Sequence, residues 1–227
     1  LGGGLLVLDT KKTSKIKNTN FEYLGGLQKN DKSINLLDNS TNNYQSNFIL
    51  FGSINFYNSK VKIKDSSFKN IFSEDAVNII KSNYEIIDTK FSEIFSDAID
   101  IDFSNGKIID SIFENIGNDG IDFSGSKSTV LNSNFSNIGD KIISIGERSE
   151  VNISNIKAKN SYIGIVSKDG SNAFANNVQF DNVKIPFSAY QKKTEYSFAK
   201  MSVKNVKSDN YLINSIRDEE SKIFENW

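Results

Sequence analysis

Apolar and polar residues alternate in short runs along most of this chain. Val77 and Ile79, Ile99 and Ile101, Ile121 and Phe123, and Ile143 and Ile145 each bracket one polar residue, and successive pairs lie 22 residues apart. Alternation with a period of two predicts short strands with one face buried. The apolar residues then point inward, and Asn78, Asp100, Asp122 and Ser144 point outward. Ile80, Asp102, Ser124 and Gly146 share the outward parity. No long stretch carries the period of a helix.

The runs belong to an internal repeat. Asp75, Asp97 and Asp119 open successive units at intervals of 22, and Asp140 follows 21 further on. A second register runs through Asp65, Asp88, Asp110, Asn132, Asn155 and Asn177, at spacings of 22 or 23. Three residues after each come Phe68, Phe91, Phe113, Phe135, Ala158 and Phe180. Ile71, Ile94, Ile116, Ile138, Ser161 and Val183 follow three later again. Phe21 lies 47 residues before Phe68, an interval of about two units. Such a period predicts an all-β parallel β-solenoid of nine or ten rungs, in which stacking buries what one rung cannot. A leucine-rich repeat would need its Leu consensus, and this chain carries Ile and Phe in another pattern. The Phe and Ile ladders read as interior stacks. The Asp and Asn ladder reads as a row of turns, because these residues tolerate the left-handed region and bond to nearby backbone.

The expected organisation is one solenoid domain over residues 1–227. Residues 27–47 fit the repeat poorly and read as an irregular looped-out rung. Residues 208–227 form an edge or tail, ending in a short polar helix or frayed end from Asp218 to Trp227. Neither end reads as a full cap, so neighbouring domains or oligomer contacts are expected to cover them. The start at Leu1, without a signal-peptide pattern, suits a mature protein or an excised piece.

Composition narrows the chemistry. The chain has 227 residues, 27 Lys plus Arg and 28 Asp plus Glu, for a net charge of −1. That balance gives no electrostatic reason to expect nucleic acid. No apolar run approaches the roughly 20 residues of a membrane span. Without Cys or His, thiolate and imidazole metal sites and His-based triads are excluded.

The acidic face is the main candidate site. Asp100 and Asp122 stand one rung apart, with Asp102 beside them and Asp97 and Asp119 at the edge. Carboxylates at such spacing can share a proton or serve as an acid and nucleophile pair in glycoside hydrolysis. The same five residues offer hard oxygen ligands for Ca²⁺, and no other cofactor is required. The plainer alternative is a solvated polar face. Towards the C-terminus, Tyr190 and Lys192, with Arg148 and Lys168, are candidate substrate contacts for an acidic sugar; ordinary surface lysines are the alternative there.

On these ladders the chain resembles the right-handed parallel β-helix repeat proteins of the pectin-lyase-like superfamily. The resemblance covers residues 48–206 clearly and 1–26 more weakly. Asp97-Ala98-Ile99-Asp100 and Asn118-Asp119-Gly120-Ile121-Asp122 are similar in style to repeats of bacterial surface or exported proteins. The resemblance implies a right-handed β-helix, a polysaccharide partner, and an extracellular, cell-surface or periplasmic location. In the lyases an acidic Ca²⁺ site sits beside a Lys or Arg base, a role open to Lys141, Arg148 or Lys168. The segment Asn118–Asp122 also resembles an Asp-bearing motif of polygalacturonase-type hydrolases. Gly139-Asp140-Lys141 stands where those enzymes have paired Asp residues, and their His is absent. The leading expectation is therefore a non-catalytic module that binds or displays against polysaccharide. The alternatives are a Ca²⁺-dependent lyase or carboxylate-pair hydrolase acting through Asp100, Asp122 and Lys141, and a structural spacer.

Overall fold

A computed structural model describes residues 2–26, 33–36, 46–49 and 51–226, with 33–36 and 46–49 as backbone alone. Each rung is built from three strands, as in Asp97–Asp102, Asn105–Ile109 and Ile112–Ile116. Corresponding strands of successive rungs pair in parallel, giving three sheet faces, here A, B and C in chain order. On face A, Ile99 is in register with Val77 on one side and Ile121 on the other. The solenoid has about eight turns of roughly 22 residues. This is fewer than the nine or ten obtained by dividing the chain by its period. Ser33–Leu36 and Ser46–Ile49 pair antiparallel in a separate sheet and add no rung. Phe21 is in direct register with Phe68, so their interval of 47 residues is one rung plus this excursion. The rest of 27–45 lies outside the described residues.

The bore is dry and ordered by identity. Phe21, Phe68, Phe91, Phe113 and Phe135 stack face to face, with centroids 4.6–5.1 Å apart. That distance is the strand spacing itself, so equivalent rings fall into van der Waals contact without adjustment. Ile, Val and Phe from all three faces fill the remainder.

The corners explain the polar ladders. Asp65, Asp88, Asp110, Asn132, Asn155 and Asn177 all have φ between 49° and 57°, the left-handed region that Asn and Asp enter at least cost. Asn70, Glu93, Asn115, Asn137, Asn160 and Asn182 form a second such row, with φ of 52–56°. Asn side chains in these rows bond to the rung below, as Asn137 Nδ2 to Asn115 Oδ1 at 2.7 Å and Asn177 Nδ2 to Asn155 Oδ1 at 2.7 Å. Between faces A and B runs a buried Ser ladder. The amides of Ser59, Ser82, Ser104, Ser126 and Ser149 each donate to the hydroxyl one rung on, at 2.9–3.1 Å. It supplies acceptors for amides that the turns take out of the sheet.

No helix forms among the described residues, and none is long and apolar enough to cross a membrane. In place of the short polar helix or frayed end expected near the C-terminus, Lys222–Asn226 pairs with Lys200–Lys204. Ser215–Arg217 pairs with Phe187–Ala189. Stacking on a ready edge outweighs the weak helical preference of so short a segment.

Candidate functional site

Face A carries the chemistry. Parallel register puts Asn55, Asn78, Asp100, Asp122 and Ser144 in one outward column. Tyr57, Ile80, Asp102, Ser124 and Gly146 form the next column. Along the leading edge Asp75 and Asp97 are in register. Asp119 and Lys141 continue that edge, since the Asp119 amide donates to Asp97 Oδ1 at 2.8 Å and the Lys141 amide to Asp119 Oδ1 at 3.0 Å. Lys141, rather than Asp140, therefore occupies the ladder position.

Rung geometry leaves these carboxylates about 4.8 Å apart along the axis, close enough to oppose one another's ionisation. Burial, then the charges of Asp75, Asp102 and Asp122, holds the Asp100 carboxyl well above its ordinary range. Burial, then Asp97 and Glu74, does the same to Asp75. Asp102 is pushed up to about 6 by burial and by Asp122 and Glu147. At Asp119 burial outweighs the attraction of Lys141 and takes it to about 7. Asp97 is raised by burial against hydrogen bonds from the Asp119 amide and Asn118. The row thus holds its protons to higher pH than free carboxylates do.

Two lysines answer some of the charge. Lys141 Nζ lies 3.3 Å from Asp119 Oδ1 and also pairs with Asp140. Burial opposes the Lys141 charge, but these carboxylates outweigh it and raise its proton affinity, so it is held as a cation. Lys168 lies across face A with its Nζ 3.7 Å from Asp122 Oδ1. Its path requires Gly146, where a Cβ would come within 2.8 Å of Lys168 Cε. Glu147, at the corner between faces A and B, pairs with Lys193. Its carboxyl stays below the ordinary value although burial opposes this, because Lys193 and Ser124 stabilise the anion.

Lys193 comes from the segment after face A, which folds back along the solenoid. Buried Asp169 fixes it, its Oδ1 accepting from the amides of Lys192 and Lys193 at 2.6 and 2.7 Å. Arg148 covers the Tyr196 ring at 5.4 Å. Tyr190 is in register with Lys168. The structure thus gathers Asp97, Asp100, Asp102, Asp119, Asp122 and Lys141 on three adjoining rungs. It sets Arg148, Lys168, Tyr190 and Lys192 around the C-terminal end of the same face. Among the described residues no three carboxylates are gathered closely enough to hold a metal ion, because the column spreads them by rung and the lysines enter between them.

Glu147, Asp169 and Lys193 carried no sequence signal, and several polar atoms of the site are left unsatisfied. Asn78 Oδ1, Asp75 Oδ2, Asp122 Oδ1, Ser144 Oγ, Glu147 Oε2 and Asp169 Oδ2 are buried without a hydrogen-bond partner. Asn78 is 1% exposed and Ser144 0%, and both stand in the Asp100 column. Aromatic rings stand exposed at the corners: Phe72 and Phe95 at the leading side and Phe103 at the trailing side. At the next rungs Gly117 and Gly139 take the place of these rings on the leading rim. Cavities lie on the other faces, about 650 Å³ on face B around Lys15, Lys62 and Tyr84 and about 890 Å³ on face C around Lys157 and Gln179. Neither is lined by a buried polar atom lacking a partner.

The chain belongs to the right-handed β-helix family, whose model, described as "Right handed beta helix region", matches residues 52–214. No curated protein matches it. Among solved structures, polygalacturonase from Erwinia carotovora ssp. carotovora aligns with 14% identity and a TM-score of 0.57, over 94% of this chain and 73% of the enzyme. The catalytic domain of a GH87 α-1,3-glucanase, a D1045A variant with nigerose, aligns with 14% identity and a TM-score of 0.52, over 99% of this chain and 56% of that domain. The chain therefore spans little more than half the length of the glucanase domain. At these identities the likeness is one of fold.

Proposed function

We propose that this chain is a non-catalytic polysaccharide-binding β-helix module of an exported or surface protein, and that face A receives the glycan. The observation that carries the reading is the column Asn78, Asp100, Asp122 and Ser144, in which buried Asn78 Oδ1, Asp122 Oδ1 and Ser144 Oγ lack hydrogen-bond partners although such atoms are nearly always satisfied. A sugar chain running along the solenoid axis meets a polar column at every rung, with aromatic rings at the corners. Its hydroxyls can donate to the unpartnered oxygens. The solved neighbours whose names include polygalacturonase and α-1,3-glucanase support a polysaccharide partner.

The test is retention on insoluble polysaccharides, compared between the native chain and Ser144→Leu, which fills the column with an apolar side chain. Native retention on at least one polysaccharide, with at least tenfold loss in the variant, is the expected result. Equal retention of both proteins would move the site off face A.

A second reading, glycoside hydrolysis, is favoured by the strongly raised proton affinity of Asp100 beside Asp122. Asp100 would be the proton donor and Asp122 the partner carboxylate. Release of reducing ends from a retained polysaccharide, abolished by Asp100→Asn and Asp122→Asn in folded protein, would establish it. In either reading Lys141 serves as a counter-ion to Asp119 and Asp140.

A further inference from the structure

We propose that face A selects glycans bearing free amino groups over neutral and uronate glycans. This rests on the polysaccharide-binding reading above and names the sugar chemistry the groove prefers. Six carboxylates, Asp75, Asp97, Asp100, Asp102, Asp119 and Asp122, occupy three adjoining rungs. Only Asp119 and Asp122 have a lysine within ion-pair distance. Asp75, Asp97, Asp100 and Asp102 have no such partner among the described residues. The adjoining groups that lack partners are acceptors as well: Asn78 Oδ1 and Asp75 Oδ2 are buried and unbonded. Asn78 already donates its Nδ2 to Asp100 Oδ2 at 3.1 Å, so its free oxygen faces the column with nothing to accept.

An ammonium group is the complement of this arrangement. It offers three donors and no acceptor and brings the positive charge that these four carboxylates lack. Its arrival offsets the mutual repulsion that adds to burial in raising their proton affinity. A uronate would add another carboxylate to the row. A neutral sugar could satisfy the acceptors through its hydroxyls and leave the charge unanswered. Lys168 shows that the face accommodates such a cation, because its ammonium already lies along it beside Asp122.

The experiment is calorimetric titration of the full chain with glucosamine, N-acetylglucosamine and galacturonate hexasaccharides at pH 6.5 and low salt. It is repeated with Asp100→Asn and Asp102→Asn, whose folding is verified by circular dichroism. At least tenfold tighter binding of the glucosamine oligomer is expected, falling at least fivefold in each variant. Raising the salt to 0.3 M should also weaken it, since partly exposed charge pairs are screened. Binding of the N-acetylated or galacturonate oligomer at equal or greater strength overturns the proposal and leaves the polysaccharide reading standing. Retention on a neutral polysaccharide with no response to the glucosamine oligomer does the same. If no glycan binds in either format, both readings fail.

Discussion

Replacing Asp102 with Asn should stabilise the protein at neutral pH, although it removes a charged group from a polar surface. The Asp102 carboxyl moves from an ordinary 3.8 to about 6 on folding. One such unit corresponds to about 1.4 kcal/mol, so the shift would cost the folded state about 3 kcal/mol with full burial. Asp102 is half-buried, and solvent screening brings the figure to about 2 kcal/mol. Between pH 3.8 and 6 the unfolded chain has released a proton that the folded protein keeps. Stability therefore falls as pH rises through that window and stays lower above it. Asn cannot titrate and escapes the loss. For a chain of this size about 2 kcal/mol corresponds to a rise in Tm of roughly 4–8 °C. Thermal melts by circular dichroism should show that rise at pH 7.5 and about a third of it at pH 4.5, where the folded carboxyl is still protonated. An equal rise at both values would mean that Asn packs better and that charge is irrelevant. A fall at pH 7.5 would refute the account of a mutually repelling row.

The lysine across face A should behave in the opposite sense. Lys168→Met leaves Asp122 without its counter-ion and should cost about 2 kcal/mol in urea denaturation at pH 7.5, with most of it recovered when Asp122→Asn is added. Phe113→Ala interrupts the aromatic stack at its middle and should cost about 3–5 kcal/mol in the same assay; a loss below 1 kcal/mol would mean the rungs close over the gap. Ser126→Ala removes the hydroxyl that the buried Ser104 amide donates to at 3.0 Å and should cost about 1–3 kcal/mol, whereas Ser→Ala at exposed Ser197 should be nearly neutral.

The fold was legible because stacking makes the same demand at the same place in every rung. A left-handed corner favours Asn, Asp or Gly, so Asp65 through Asn177 recur at a fixed interval. A bore of fixed width takes the same ring each time, so Phe68, Phe91, Phe113 and Phe135 recur as well. The outward placement of Asp100 and Asp122 follows from the same periodicity. Ser59, Ser82, Ser104, Ser126, Ser149 and Ser171 repeat just as regularly, but Ser is abundant and the row is hidden among polar neighbours. The excursion after the first rung made an interval of 47 residues look like two rungs. Asp140 fell one place off its ladder because an Asp was sought where the structure puts Lys141. Glu147, Asp169 and Lys193 meet through a corner and a folded-back segment, contacts that no periodic signal encodes. Proton affinities were illegible for a related reason: they depend on how far each side chain is withdrawn from water, which residue type alone does not fix.

Parallel stacking at a constant interval also makes the solenoid a ruler. A segment such as 97–118 begins and ends at equivalent points of the path, so a tandem copy would create junctions of the kind already present. The groove can therefore lengthen or shorten only in steps of one strand spacing. Each added rung contributes one letter to every column, so a substitution on face A rewrites the ligand surface at one step and leaves the Phe bore and the Asn corners of that rung untouched. Binding length and binding chemistry can thus vary independently, the first by copying rungs and the second by editing single positions within them.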